Sequence, residues 1–518
     1  MPHSSTDAAI ARRALLGAGI LGIIADPLLR NGPWGFGLLL WMVAFAVTII
    51  GLVGIADRAL SHESRVWLGV AVLFAAGLSW RDSDMLLFFD VLAMLSALTL
   101  LAMSMNGVPV AGLALARVRD LIIAAFGTGL DVAFGVVPLV IHNAEFGSRA
   151  RAANSGNAGR IAKAFVITAP ILAVFTVLFL RADPVFGSFL KLPDIDFGQL
   201  LSHVVVAGFF AWVAAGWLRR VFLAPPSAGG APLDSFPLTL GVTDVSLALG
   251  ALNVLFAAFV AVQIGWLFGG EALVIKTTGL SYAEYARRGF FELMCVAGLL
   301  LPVLLGVQAL VPESDARTHR LYRRLALPLI LLLGAVMVSA GARMSLYVRY
   351  YGISTDRLYA TAFMIWLAIV FVWLALTVLR ARPRAFAVGA VVSGFIILFT
   401  LNALNPDDLV ARTNLARGDI ASAGTTGADY RYLASLGGDA ISPLVAALTA
   451  PGVSSDSAGT RDRCDAARIL LRRWTGDRLT ESSRNWFQWN LARMRATRDV
   501  RASEAKLRQL ACPASSGR

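Results

Sequence analysis

The chain is poor in most of what a soluble enzyme uses. Only 15% of its 518 residues are charged, against about a quarter in soluble domains. It has 5 histidines, scattered, and 3 cysteines. None of these falls at zinc spacing, so neither a metal nor a cofactor site is expected. There is no GxxxxGK[ST], no HExxH, no GxSxG and no kinase set. Gly17 with Gly19 and Gly35 with Gly37 sit within apolar runs and not after a strand, which excludes a dinucleotide site by context. Acidic residues are few: 33 against 46 basic ones, a formal net charge of +13. That surplus lies mostly as arginine at the ends of apolar runs, where it meets lipid phosphate and sets topology, so no nucleic-acid partner is expected.

What the chain has instead is long apolar stretches. Mean hydropathy is +0.69, with 57% hydrophobic residues. Eleven runs stand out: 14–29, 34–56, 66–80, 85–105, 164–180, 200–218, 245–268, 289–310, 325–342, 358–379 and 385–404. About 20 apolar residues in a helix match the roughly 30 Å hydrocarbon core of a bilayer, and a soluble fold cannot bury so many such runs. The first run follows Arg12 and Arg13 like an export signal, but it lacks a small-x-small cleavage site and Asp26-Pro27 interrupts it, so it reads as an uncleaved first helix. The expected class is all-α: a polytopic transmembrane helix bundle of about eleven spans, twelve being possible, over residues 1–404. A small helical domain over 405–518 follows, with apolar residues at three-to-four spacing.

The stretch 121–141 decides between eleven and twelve spans. It is long enough to cross, yet it holds Asp131, Pro138 and several glycines. With the N-terminus in the cytoplasm and this stretch not crossing, nineteen Lys and Arg flank the inner side and ten the outer. If it crosses, the count becomes fourteen against fifteen. The positive-inside bias favours eleven spans, an interfacial or re-entrant 121–141, and an outward C-terminal tail. Cys464 and Cys512 both lie in that tail, and an extracytoplasmic setting allows them to pair, two free thiols being the alternative. Trp486, Phe487 and Trp489 beside Arg484, Arg493 and Arg495 form either a membrane-surface element or an aromatic core with a solvated basic face.

Several segments are distinctive as a set: VQIGWLFGG at 262–270, SYAEYARRGFFEL at 281–293, and RMSLYVRYYGISTDRLYATAFMIWLA at 343–368. With them go RADPVFGSFL at 181–190 and NPDDLVARTNLAR at 405–417, followed by DYRYLASLGGDAISPL. Together they resemble a family of bacterial multi-pass membrane proteins described as a domain of unknown function, DUF4173 or the related DUF4153, over roughly 181–444. The resemblance implies a bacterial inner-membrane location and carries over no activity, substrate or catalytic residue.

The eleven-span topology puts these motifs on the outer side, where Glu271, Glu284, Arg288, Glu292, Arg343, Asp407 and Arg412 are the candidate functional polar residues. Glu284, Arg288 and Glu292 are spaced i, i+4, i+8, an alternating-charge row leading into a span. Within the spans, Asp90, Asn253 and Gln263 must face protein or water, either as interhelical hydrogen-bond partners or as an ion or substrate site. Three function classes remain. The favoured one is an envelope sensor or assembly scaffold with its functional face outward, toward a protein or lipid partner. The alternative is a transporter or permease with a polar midplane site, and the third is a membrane enzyme acting on a lipid-linked substrate; no catalytic residue is assigned.

Overall fold

The computed structural model describes residues 5–30, 32, 34–106, 118–140, 168, 172, 197–223, 239–278, 290–312, 314–380, 386–418, 428–450, 457–475 and 486–511. These residues form helices and no strand. In lipid every backbone N–H and C=O must be satisfied within its own segment, which a helix achieves and an open strand cannot. The membrane part consists of α1 (Ser5–Leu29), α2 (Phe36–Ile55), α3 (His62–Trp80), α4 (Asp84–Met105), α5 (Val118–Phe134) and α6 (Phe197–Phe222). It continues with α7 (Val242–Thr278), α8 (Phe290–Leu310), α9 (Ala316–Tyr351), α10 (Thr355–Thr377) and α11 (Phe386–Leu404). Among the described residues nine helices are long and apolar enough to cross a membrane, namely all of these except α3 and α5. Of the expected run 164–180 only residues 168 and 172 are among those described.

The C-terminal helices, α12 (Pro406–Gly418), α13 (Tyr430–Ser435), α14 (Ile441–Thr449), α15 (Ser457–Trp474), α16 (Leu491–Ala502) and α17 (Glu504–Leu510), enclose a core of their own. They sit on one end of the bundle, called here the tail face. Phe36 N donates to Trp489 O (3.1 Å) at the start of α2, and Ile353 N to Asn414 Oδ1 (3.0 Å) between α9 and α10. At Asn405, α11 passes into α12 with a left-handed φ of 57°, which Asn tolerates better than most residues.

The helices alternate between this face and the far one. Arg30 Nη2 reaches Gln199 O (3.5 Å) and Asp26 pairs with His203 Nδ1 (2.5 Å), so α1 and α6 are antiparallel and α6 begins on the tail face. Asn253 bonds to Leu325 O and Gln263 to Ser339 and Arg343, so α7 and α9 run parallel toward the tail face. Tyr322 Oη donates to Leu304 O (3.1 Å), which makes α8 antiparallel to α9. Although α3 carries Glu63 and Arg65 in its first turn and is not among the nine, it returns the chain from the far end of α2 to the tail face at Arg81.

The end of α4 lies on the far face, where Asn106 Nδ2 donates to Arg220 O (3.3 Å), and α6 starts on the tail face. The described part of 121–141 is tied to the far end of α6. Arg220 pairs with Asp131 at 3.1 Å, Arg219 with Asp131 at 3.9 Å, and Trp212 donates to Ala133 O at 2.8 Å. These contacts place Asp131 and Ala133 at the far end of α6.

Two apolar cores fill the bundle. One joins α1–α4 and α6, with the face of α11 that carries Val388, Val392 and Phe395 against it; the other joins α7–α10. At the tail face Leu86, Tyr359 and Leu401 form a small cluster that links α4, α10 and α11. Lipid supplies no hydrophobic drive for one helix to leave it for another, so close packing decides such contacts. At Gly22 the backbones of α1 and α6 nearly touch, and a Cβ there would lie 2.3 Å from Ala207 O, whereas at Gly19 nothing lies within 4 Å. Gly22→Val is therefore expected to lower the thermal midpoint of the purified protein, at a cost of about 1–3 kcal/mol or more, and Gly19→Val to leave it unchanged. Equal midpoints for the two variants would refute the close approach.

Candidate functional site

Only Arg81, Asp82 and Ser83 separate α3 from α4, and this short polar loop carries the densest hydrogen bonding between the bundle and the C-terminal helices. Arg81 lies over the ring of Trp80 at 4.1 Å. Its Nε donates to Asn402 O at the end of α11 (2.8 Å) and its Nη1 to Asp439 Oδ1 (3.3 Å), both side chains of that ion pair being more than nine-tenths buried. Asp82 makes the reciprocal set. Its N–H donates to Asp439 Oδ2 (3.0 Å), its Oδ2 accepts from Gly438 N (2.9 Å), and its Oδ1 accepts from Arg493 Nε (2.7 Å). The two acids and two guanidinium groups thus form crossed pairs, one charge of each pair on the bundle and one on the C-terminal helices. Removing one member of a buried pair leaves a stranded charge and costs about 3–5 kcal/mol.

The surrounding residues close the cluster. Asp439 is the middle residue of the short 3-10 turn Gly438–Ala440 and also accepts from Asn405 Nδ2 (3.0 Å). Asn490 caps α16 and donates to Leu78 O (2.9 Å) and Arg81 O (2.8 Å), two carbonyls at the end of α3. Tyr359 Oη meets Ser83 Oγ at 3.2 Å. At Gly437 the loops touch backbone to backbone, and a Cβ there would stand 1.5 Å from Asp82 O. Asp407, only 2% exposed, accepts from Gly437 N through Oδ2 (3.0 Å), while its Oδ1 has no partner among the described residues.

Burial pushes the Asp407 carboxyl up to about 7, and the charges of Asp439 and Asp82 add to the rise against the opposing Gly437 N–H and Ser83. Asp439 is also raised by burial, with the Asp82 N–H, Arg81 and Asn405 opposing it.

The other candidates fall elsewhere and do not converge. Asp90, 1% exposed in α4, accepts from Asn402 Nδ2 of α11 (2.8 Å) one helical turn below the cluster. Asn253 Nδ2 is shared between Leu249 O and Leu325 O (2.7 and 2.9 Å), and Gln263 Oε1 accepts from Ser339 Oγ and Arg343 Nη2 (3.0 and 2.7 Å), all within the α7–α10 bundle. Arg412 pairs along its own helix with Asp408 (2.7 Å) and is exposed. Glu292 is exposed in the first turn of α8 with no polar partner among the described residues, so its surroundings are not those of a buried ion pair. Glu284 and Arg288 lie outside the described residues, as does the side chain of Glu271.

The residues that sequence reasoning passed over as site members are Arg81, Asp82, Asp439, Asn490 and Arg493. Arg81 entered the topology count only, and the signal available was the sequence WRDSD, four consecutive polar residues squeezed between two apolar runs. Trp486 and Trp489 do not form an aromatic core: they are 64% and 42% exposed and touch the ring of Phe36 edge-on. Cys295 is free, Cys464 is buried and disulfide-bonded, and Cys512 lies outside the described residues. No group of His, Cys, Asp and Glu among the described residues is arranged to hold a metal ion. An apolar groove of about 480 Å³ between α10 and α11 is lined by residues such as Val372, Trp373 and Ile396.

Residues 68–447 match the family described as a domain of unknown function (DUF4153), and the chain belongs to it. No curated protein matches the chain, and no solved structure does. The matched region begins within α3 and ends within α14, so it contains Arg81, Asp82, Asp407 and Asp439 but not Asn490 or Arg493.

The raised carboxyls give docking a pH dependence whose sign follows by linkage. An acid whose folded-state pKa lies above its unfolded value holds its proton more tightly when folded, so its contribution weakens as pH rises from about 4 to about 7. Docking of the C-terminal helices, read by limited proteolysis of the full chain, is expected to be firmest at mildly acidic pH. Asp407→Asn should flatten the dependence and leave the docked state firmer above neutrality. Firmer docking of wild type at alkaline pH would show the opposite sign and reject this account.

Proposed function

We propose that this integral membrane protein is an envelope sensor or assembly scaffold of the bacterial inner membrane, with the tail face outward as its working surface. Its two parts are a bundle over 1–404 and a helical extracytoplasmic domain over 405–518. The observation that carries the reading is the crossed pairing of Arg81 with Asp439 and of Asp82 with Arg493. Through it, a partner that moves the C-terminal helices pulls directly on the α3–α4 loop and the end of α11. The polar residues within the spans are spent on neighbouring helices, Asp90 on Asn402 and Gln263 on Ser339 and Arg343, which favours this reading over a shared transport site. The orientation is supported by the arginine asymmetry and by the disulfide at Cys464, a bond at home in an oxidising compartment.

Two measurements test the proposal. Alkaline phosphatase fused after Arg518 should be active and a fluorescent protein fused there dark; the reverse would put the tail in the cytoplasm. Asp439→Ala should undock the tail and reproduce the phenotype of a chain deletion, while Gln263→Ala, with the protein inserted at normal level, should not. Loss of function with Gln263→Ala and tolerance of Asp439→Ala would overturn the reading in favour of transport.

A further inference from the structure

The C-terminal helices also present a surface for which the tail–bundle contacts leave a use. The short turn Trp486–Gln488 sits against Phe36, the first residue of the apolar helix α2. Trp486 is 64% exposed and Trp489 42%, each edge-on to Phe36, with Trp34 also partly exposed nearby in sequence. Indole rings so placed belong to the headgroup level, where an apolar ring and a polar N–H are both accommodated.

From this turn α16 leads away from Asn490, and the spacing of its residues fixes which side faces down. Ala492, Ala496 and Val500 are buried against the other C-terminal helices. Asn490, Met494, Thr497 and Arg501 follow one another at i, i+4, i+7 and i+11, a single stripe of the helix. The stripe begins at Asn490, whose amide is bonded to Leu78 O and Arg81 O at the membrane end of α3. Continued along the helix, the same side carries Met494, 47% exposed, and the exposed Arg501, which has no partner among the described residues. Arg498 flanks it, exposed and sharing its guanidinium with Asp499 (3.1 Å). Two partly exposed indoles, an exposed methionine and two exposed arginines, one of them without an acidic partner among the described residues, thus follow one another from the end of α3 along α16.

We propose that this strip, Trp486, Trp489, Met494, Arg498 and Arg501, docks onto anionic phospholipid headgroups of the leaflet at the tail face. The indoles and Met494 enter the interface and the guanidinium groups take the phosphates. The occupant follows from charge complementarity and from continuity with the membrane surface at Phe36. The proposal goes beyond the sensor or scaffold reading and holds whichever compartment the tail face meets.

The test uses the full chain in nanodiscs of phosphatidylcholine with a minor fraction of phosphatidylglycerol, carrying p-benzoylphenylalanine in place of Met494 and analysed by mass spectrometry after irradiation. An arginine near an anionic surface is worth about a fivefold preference. Adducts to phosphatidylglycerol are therefore expected several-fold above its share of the lipid. Arg501→Glu should abolish that enrichment, and Arg495→Glu, an exposed arginine on the same helix but off the stripe, should preserve it. Thermal midpoints near that of the parent chain keep both variants interpretable. Adducts in proportion to lipid composition, no lipid adducts, crosslinks to a second copy of the chain, or equal effects of the two substitutions would each overturn the proposal.

Discussion

The crossed charges at the α3–α4 loop are the contact on which the arrangement of this molecule depends. Arg81 and Asp82 are adjacent in sequence and opposite in charge, and they engage Asp439 and Arg493, which are themselves opposite. Neither side of the interface satisfies its own ions. Buried ion pairs gain little over an apolar contact in net stability, but they penalise every alternative register that would strand a charge. Their use here is to fix where the C-terminal helices sit, with Gly437 allowing the backbones to meet and Asn405 turning the chain from α11 into α12. Asp407 adds a third carboxyl to two guanidinium groups, and its burial raises it to about 7, so that taking up its proton brings the cluster toward charge balance.

Inside the bundle the same economy recurs with weaker groups. Asp90, Asn253 and Gln263 each find a partner on a neighbouring helix, and they do so in two separate helix groups. A polar residue in lipid has no water to fall back on, so an interhelical bond is its default state. These contacts tie α4 to α11 and α7 to α9, and with Leu86, Tyr359 and Leu401 they join the two groups beneath the charge cluster. The tail face is therefore where both halves of the bundle and the C-terminal helices converge.

The family match has an informative boundary. It covers the loop side of the cluster and the turn that carries Asp439, while Asn490 and Arg493 fall beyond it. The half of the clamp formed by Arg81, Asp82, Asn405, Asp407 and Asp439 lies within the family's own region, and this chain completes it from α16, the helix that also bears the arginine stripe.

The sequence by itself determined the class of the protein. Length and hydropathy are local properties, and runs of the bilayer's thickness have one stable conformation in lipid. Arginine asymmetry, read from neighbouring residues, favours a 121–141 that does not cross, while the structure adds that Asp131 pairs with Arg219 and Arg220 at the far end of α6. Asp407 was legible as a polar residue at the mouth of the last span, but its burial was not. Only the tertiary structure decided the site, because its partners lie more than three hundred and fifty residues apart along the chain, as Arg81 and Asp439 do. It also decided that Asp90 meets Asn402 and that Glu292 stands exposed. Hydropathy says which residues are buried in lipid, and it is silent on which helix each of them will face.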